Sequence, residues 1–512
     1  MPSVRLDDIA GLTLGEALRR MALQRPESPA LLSEGPPLSW SVLDAAVDAA
    51  AARLYALGIR PGEVVGCLLT KRPEVVIAFL ALARLGALFA PVNWKLRPAQ
   101  INDQLVNAQI RALLVESATA EESAALDAGP LRISVEGEGP GWLPWSAPAP
   151  PLPPLPAVSA EAPCYLNYTS GTTGRPKGAI TTHRQILVNA VLTILALDVR
   201  GHDVFLGMFS VFSHPHELFH RCLLTGGPFV ILDTLSPRVV TAAVARHRVT
   251  WMMAVPSFYE MMSDHRGPGV EATASLRVLE SGGAPITAEA LARLEAAFPG
   301  ATFLPVWGCT EATGVAIANT GPQRRPGATG KAVPGYQLRL VDDHGRDVAT
   351  GEVGELWIAG EAVVEGYCNQ PAETADLFSP GGYNTRDLLR QDADGYYWFV
   401  GRRSEMLKIG GIRVYPLEIE AALLAHPEVR DAVVVRAEER VRGEIARAVV
   451  ELRPGSTADA RALRAWCRDR LAVYMVPRIV EIWAALPRLP NGKLDKRAVA
   501  EAPPDPERHD RP

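Results

Sequence analysis

The stretch YTSGTTGRPKGAI, residues 168–180, gathers hydroxyls, glycines and one lysine into a run too polar for a core and too rich in glycine for a stable helix. Gly171 and Gly174 let backbone N–H groups turn towards an anion. Thr169, Ser170, Thr172 and Thr173 add hydroxyl donors, and Lys177 adds a point charge. Phosphate is the anion that such a donor set suits. The Walker template G-x-x-x-x-G-K-[ST] is not met, because Gly178 rather than Ser or Thr follows Lys177. Composition alone leaves a phosphate cradle and a flexible connector both open.

The segments SGGAP (281–285), VWGCTEA (306–312), YNTRDL (383–388), GRRSEMLKIGGIRVYPLEIE (401–420) and LPRLPNGKLDKR (486–497) follow in that order. With the opening loop they resemble, motif by motif, the adenylate-forming superfamily of acyl-CoA synthetases, aryl-CoA ligases, peptide-synthetase adenylation domains and firefly-type luciferases. Weaker similarity in GEVGELWIAG and EGYCNQPAET fills the gaps, so the resemblance covers nearly the whole chain. One such motif is suggestive; six in fixed order are highly specific.

The resemblance implies a two-step ligase of the AMP-forming acid–CoA type. A carboxylic acid attacks the α-phosphate of ATP to give acyl-AMP and pyrophosphate, and a thiol, usually that of coenzyme A, then displaces AMP. A carboxylate is a poor nucleophile that the triphosphate repels, so cations and donors must collect where negative charge builds up. By similarity, Thr169, Ser170, Gly171, Thr172, Thr173, Gly174 and Lys177 would hold the β- and γ-phosphates. Gly282, Gly283, Ala284 and Pro285 would form the adenine turn, continued by Trp307, Gly308 and Cys309. Thr310 would donate to the α-phosphate and Glu311 would bind Mg2+. Asp387 would accept from both ribose hydroxyls with Arg402 beside it, and Lys493 would reach the reacting carboxylate and the α-phosphate. Lys408, Gly410, Gly411 and Arg413 would meet coenzyme A, and Ser404 stands at the hinge between the two half-reactions.

Several residues depart from the family pattern. Trp307 occupies the usual tyrosine position, where its ring can still stack on adenine. Arg386 replaces the glycine of T-G-D, either pairing with a neighbouring carboxylate or altering nucleotide handling. Ser404 stands where the hinge usually carries Asp or Lys, which makes thioester formation less secure than adenylation. The acyl-pocket candidates are Ser210, His214, Gly282 and Gly308; glycine at 308 would leave room for a longer or wider acid than acetate. The peptide-synthetase aspartate that pairs with an α-amino group is missing, so a fatty, alicyclic or aryl acid is expected rather than an amino acid. HELFH (216–220) matches H-E-x-x-H, but lacks a third zinc ligand at a convincing spacing and reads as pocket or structural histidines. Two other readings stay open: adenylation only, with acyl-AMP handed to a carrier protein or partner ligase, and a nucleotide-binding protein without turnover.

The elements that must position these residues alternate along the chain. Helical SVLDAAVDAAAARLYALG, PEVVIAFLALARLG and PAQINDQLVNA interleave with strand-like EVVGCLL, ALFAPV and IRALLVE, and further strands (DVFLGMF, PFVILD, VTWMMAV, LRVLESGG, ATFLPVW) follow the opening loop. This indicates α/β architecture with doubly wound sheets. Short strands joined by Gly-rich turns before residue 400 indicate a β-rich subdomain. After it, two helical and three strand patterns indicate a small α+β domain, which the resemblance makes mobile. The expected division is 1–400 and 401–512, with the proline-rich 147–159 as a semi-rigid surface connector.

Net charge is −5, which argues against a nucleic-acid surface spread over the protein. The six cysteines form no C-x-x-C pair, and the N-terminus carries acids where a signal peptide would be apolar. The longest apolar run, VVIAFLALARLGALFAPV, is broken by Arg84, Gly86 and Pro91, so no membrane span is expected and the cytoplasm is the expected compartment. A second identical subunit is left open as a partner.

Overall fold

Short apolar runs bounded by helices build two parallel-rich sheets, each covered on both faces. The computed structural model describes residues 4–127, 129–137, 141–151, 153–169, 176–210, 219–234, 236–265, 270–321, 324–439, 443–488 and 494–504. In the first sheet, Val64–Cys67 lies parallel between Leu88–Pro91 and Ala112–Val115. Its edge is an antiparallel pair, Pro163–Thr169 with Lys177–Thr182, so the glycine-rich loop spans a hairpin whose last register pair is Thr169 with Lys177.

In the second sheet, Phe205–Gly207, Trp251–Ala254, Val278–Ser281 and Thr302–Cys309 run parallel. Their C-terminal ends line up, with Ser281 opposite Pro305. SGGAP and WGCTEA therefore leave from the edge where doubly wound sheets bind ligands.

Sequence explains the local elements. Ser39 caps the helix Trp40–Ala56 by accepting from the Val42 N–H, and Pro73 opens the helix Pro73–Leu85, which stops at left-handed Gly86. These two helices, with Leu14–Gln24 and His183–Ala196, join the facing sides of both sheets into one core. Ile101 and Leu105 of the helix Pro98–Asn107 cover the other face of the first sheet. Pro237–His247, Pro256–Asp264 and Ala288–Ala297 cover that of the second. The apolar run around Arg84 becomes helix and strand inside this core. No helix among the described residues is long and apolar enough to cross a membrane.

A five-stranded antiparallel sheet follows, from Tyr336–Val341 through Val353–Gly360 and Gly382–Gln391 to Tyr397–Arg402. Beyond it the chain forms a hairpin, Leu407–Ile409 with Ile412–Val414. A three-stranded sheet carries three helices, Pro416–Leu424, Ala460–Arg468 and Lys496–Glu501. This segment has its own core of Leu407, Ile419, Val434, Ala448 and Leu463. The third helix and the hairpin exceed the two helical and three strand patterns expected. Six residues make less than two turns, too few for an apolar period to show.

One ion pair lies deep beneath the functional edge. Arg221 meets Glu280 with both Nη atoms, at 2.6 and 3.1 Å, and the Trp251 indole donates to the same carboxylate at 2.8 Å. All three are buried. Arg221→Met strands the Glu280 charge and is expected to cost about 3–5 kcal/mol, read as a fall of the thermal midpoint. Adding Glu280→Leu should recover most of it. An unchanged midpoint in the single variant would contradict this.

Candidate active site

The hairpin that carries the phosphate-type loop is tied to the TEA turn through its floor. Asn167, two residues before the loop, donates to the Thr310 hydroxyl at 3.4 Å. Thr310–Ala312 forms a single 3-10 turn closed by Thr313 in the left-handed region (φ 58°), which buries both Thr310 and Glu311. The Val364 N–H donates to the Glu311 carbonyl at 2.9 Å. Three residues on, the Tyr367 hydroxyl donates to Glu311 Oε1 at 2.6 Å. Lys177, also buried, places its Nζ 5.5 Å from the centre of the Tyr367 ring. Burial and the neighbouring Glu311 charge push the Tyr367 phenol far above its ordinary range, so it stays protonated and donates.

The same segment grips the lysine strand. Cys368 N–H donates to Gly178 O at 2.7 Å. The Gln370 amide accepts from the Gly178 N–H and donates to Pro176 O at 3.2 Å.

Asp387 and Arg402 are register partners on adjacent strands. Arg402 Nε stands 3.2 Å from Asp387 Oδ1, and the Trp307 indole N–H donates to Oδ2 at 2.9 Å. Trp307, expected as an adenine-stacking ring, thus also holds the acid. Burial raises the Asp387 pKa above the ordinary carboxylate value; the Arg402 charge and the Trp307 hydrogen bond oppose it. Oδ1 is buried and accepts no hydrogen bond among the described residues. Trp307, on the strand that leads directly into the Thr310–Ala312 turn, thus ties Asp387 to the turn that carries Glu311.

Arg386, beside Asp387, has φ 60°, which accounts for the glycine of the family pattern. Its guanidinium pairs with Asp376 at 3.0 Å and lies 3.9 Å from Glu355, the neighbouring-carboxylate alternative of the two expected. Arg403 bridges Glu355 (3.0 Å) to Asp343 (3.2 Å), and Asp343 also holds Arg413. Alternating charges therefore run from Asp376 across the exposed turn at Ser404 to Arg413.

The remaining candidates fall as follows. Gly282 is buried, and a Cβ there would stand 3.1 Å from Val306 Cγ2; Gly283 (φ 80°), Ala284 and Pro285 are exposed. At Gly308 a Cβ would meet the Gly314 carbonyl carbon at 2.7 Å and Val315 Cα at 3.0 Å. Strand pairing therefore requires glycine there whatever the acid, and the residue does not by itself report pocket size. Cys309 pairs with Gly314, and Ser210 is half-buried. Lys408 and Arg413 face each other across the hairpin turn of Gly410 (φ 58°) and Gly411 (φ 83°), the shape Gly-Gly permits.

Ser170, Gly171, Thr172, Thr173, Gly174, His214 and Lys493 lie outside the described residues, as do residues 216–218 of HELFH; His220 is buried at the start of the helix His220–Thr225. Sequence reasoning missed Asn167, Tyr367, Gln370, Glu355 and Asp343. Tyr367 and Gln370 sit in EGYCNQPAET and Glu355 in GEVGELWIAG, the weaker matches, where a signal was present.

The family model of the AMP-binding enzyme matches residues 18–368, and that of the AMP-binding enzyme C-terminal domain matches residues 418–493. The chain is 33% identical over 493 residues to feruloyl-CoA synthase of Amycolatopsis sp., covering 95% of this chain and 98% of the relative. It is 32% identical over 503 residues to indoleacetate–CoA ligase of Aromatoleum aromaticum, covering 96% and 98%. The crystal structure of an anthranilate CoA ligase in complex with anthranoyl-AMP superimposes with a TM-score of 0.89 at 26% identity, over 97% of this chain and 98% of that one.

Arg402→Met removes the charge that keeps Asp387 from rising further. If the ribose hydroxyls donate to the ionised acid, AMP affinity falls as pH drops through the Asp387 pKa, and in this variant that fall is expected at higher pH. Asp387→Asn should weaken AMP by about tenfold or more at neutral pH, the scale of a hydrogen bond to a charged group, and flatten the profile. Calorimetric titration across pH checks both; superimposable profiles for parent and Arg402→Met would refute the coupling.

Proposed function

The chain belongs to the AMP-binding enzyme family, and from that premise we propose that it is an AMP-forming acid–CoA ligase whose acid carries an aromatic ring. The observation that supports this reading is the convergence of Lys177, Thr310, Glu311 and Asp387, drawn from three separated motifs and all buried, through the contacts of Tyr367 and Trp307. The relatives named for feruloyl, indoleacetate and anthranilate groups support the aromatic acid.

In this reading Asp387 Oδ1, buried beside Arg402 and accepting no hydrogen bond among the described residues, receives a ribose hydroxyl, and Arg402 and Trp307 favour the charged carboxylate and aim it. Lys177 meets the outer phosphates from the end of its strand, and Thr310 turns its hydroxyl to the α-phosphate. Glu311 Oε1 is taken by Tyr367; the second oxygen, with no partner among the described residues, suits a hard cation such as Mg2+. When bound, that ion offsets the charge of the triphosphate. Lys493 neutralises charge where the acid's oxygen bonds to phosphorus and pyrophosphate leaves.

The division expected at 400/401 falls inside the strand Tyr397–Arg402, so in this reading the nucleotide-holding body runs to Arg402 and the lid turns about Ser404. In the orientation described here Arg413 is bound to Asp343, so the face of Lys408, Gly410, Gly411 and Arg413 must leave that contact to meet coenzyme A. The thiol then attacks the acyl carbonyl and AMP departs.

Incubation with ATP, Mg2+ and benzoate, cinnamate, ferulate, indole-3-acetate or octanoate, with and without coenzyme A, tests this by pyrophosphate release and thioester chromatography. An aromatic acid should release pyrophosphate and yield its thioester. Lys493→Ala should slow adenylation by about 100- to 1,000-fold, the scale of one electrostatic donor, with far less effect on ATP affinity. Pyrophosphate release without thioester would redirect the second step to another acceptor, such as a carrier protein. No pyrophosphate release with any of these acids would overturn the ligase reading.

A further inference from the structure

Lys177 and Glu311 are a buried cation and a buried anion that both contact Tyr367. The phenol donates to Glu311 Oε1, and the face of the same ring lies near Lys177 Nζ. No Lys177–Glu311 ion pair forms among the described residues. Two opposite charges in a low-dielectric site would ordinarily close on each other, and a ligand would first have to break that pair. The tyrosine supplies each with a substitute: a charge-assisted hydrogen bond to the acid and a π face to the ammonium.

Its own place is fixed from several directions. Its backbone bridges to Ala179 on the lysine strand, and its N–H donates to the Thr374 hydroxyl at 3.0 Å. Its ring meets Phe378 edge-on at 5.4 Å. An open groove of about 740 Å³ is lined by Tyr367, Gln370, Thr374 and Phe378, so removal of the ring would leave neighbouring groups room to move.

We infer that Tyr367 is a positioning residue that holds Lys177 and Glu311 apart, reserving the ammonium for phosphate and the second Glu311 oxygen for a divalent cation. This rests on the reading of the site as one for metal-bound ATP. Tyr367→Phe removes only the O–H and keeps the ring; Tyr367→Leu removes both.

Calorimetric ATP titrations over a range of Mn2+ concentrations, with melting curves alongside, test it. For Tyr367→Phe the Mn2+ concentration that half-maximally tightens ATP binding should rise about tenfold, the loss of one charge-assisted hydrogen bond. Its metal-free ATP affinity should stay within about twofold, as the cation–π contact remains. Tyr367→Leu should weaken metal-free ATP binding as well. An unchanged Mn2+ dependence in Tyr367→Phe, whatever its melting temperature, overturns the positioning role while leaving the ligase reading intact. If Mn2+ fails to tighten ATP binding to the parent protein, the metal-bound ATP reading falls, and the inference with it.

Discussion

Two carboxylates, Glu311 and Asp387, lie buried at the end of the strand Thr302–Cys309, one in the turn that follows it and the other held by its Trp307, and burying a charge without compensation costs several kcal/mol. The surrounding structure meets that cost with fixed donors. Tyr367 donates to one acid and Trp307 to the other, with Arg402 beside the second. Glu311 thereby keeps one oxygen without a partner among the described residues, and Asp387 keeps in Oδ1 one that is ion-paired with Arg402 but accepts no hydrogen bond among them. The donors come from distant segments, so the site exists only once both main sheets and the antiparallel sheet have packed. Even the Arg221–Glu280 pair belongs to this arrangement, since Glu280 immediately precedes the buried end of the strand from which the SGGAP turn departs.

The same economy extends to the lid. Asp376, Arg386, Glu355, Arg403, Asp343 and Arg413 form a chain of alternating charges that crosses the turn at Ser404. Most members are partly exposed, where each pair contributes about 0–1 kcal/mol. In the proposed reading, that is a fitting strength for a contact that forms and releases as the lid turns. Arg386, the residue that departs from the family glycine, is thereby paired with Asp376 and set beside Glu355 in this chain of charges.

Much of this was legible in the sequence where chemistry demands particular residues at fixed spacing. The alternating apolar runs gave the doubly wound sheets because buried parallel strands must be apolar on both faces. The motifs around Lys177, Glu311 and Asp387 marked acids and cations that the fold brings together. Tyr367 was harder, because its contact with Glu311 spans 56 residues and its own segment, EGYCNQPAET, carries only the weaker similarity. Gly308 was read as room for the acid, whereas its requirement is set by Gly314 on the paired strand, a constraint that only the pairing reveals. The positive φ of Arg386 is likewise invisible in a residue type that seldom adopts it. The short helix Lys496–Glu501 escaped for want of length.

The account turns on how Asp387 and Glu311 meet a nucleotide, and a crystal structure of the protein with AMP examines that most directly. The ribose hydroxyls are expected within hydrogen-bonding distance of the Asp387 carboxylate, with Trp307 still donating to Oδ2, the adenine against the 282–285 turn and the phosphate towards Thr310. AMP bound with its ribose away from Asp387, or its phosphate directed away from the Thr310–Glu311 turn, would contradict the account.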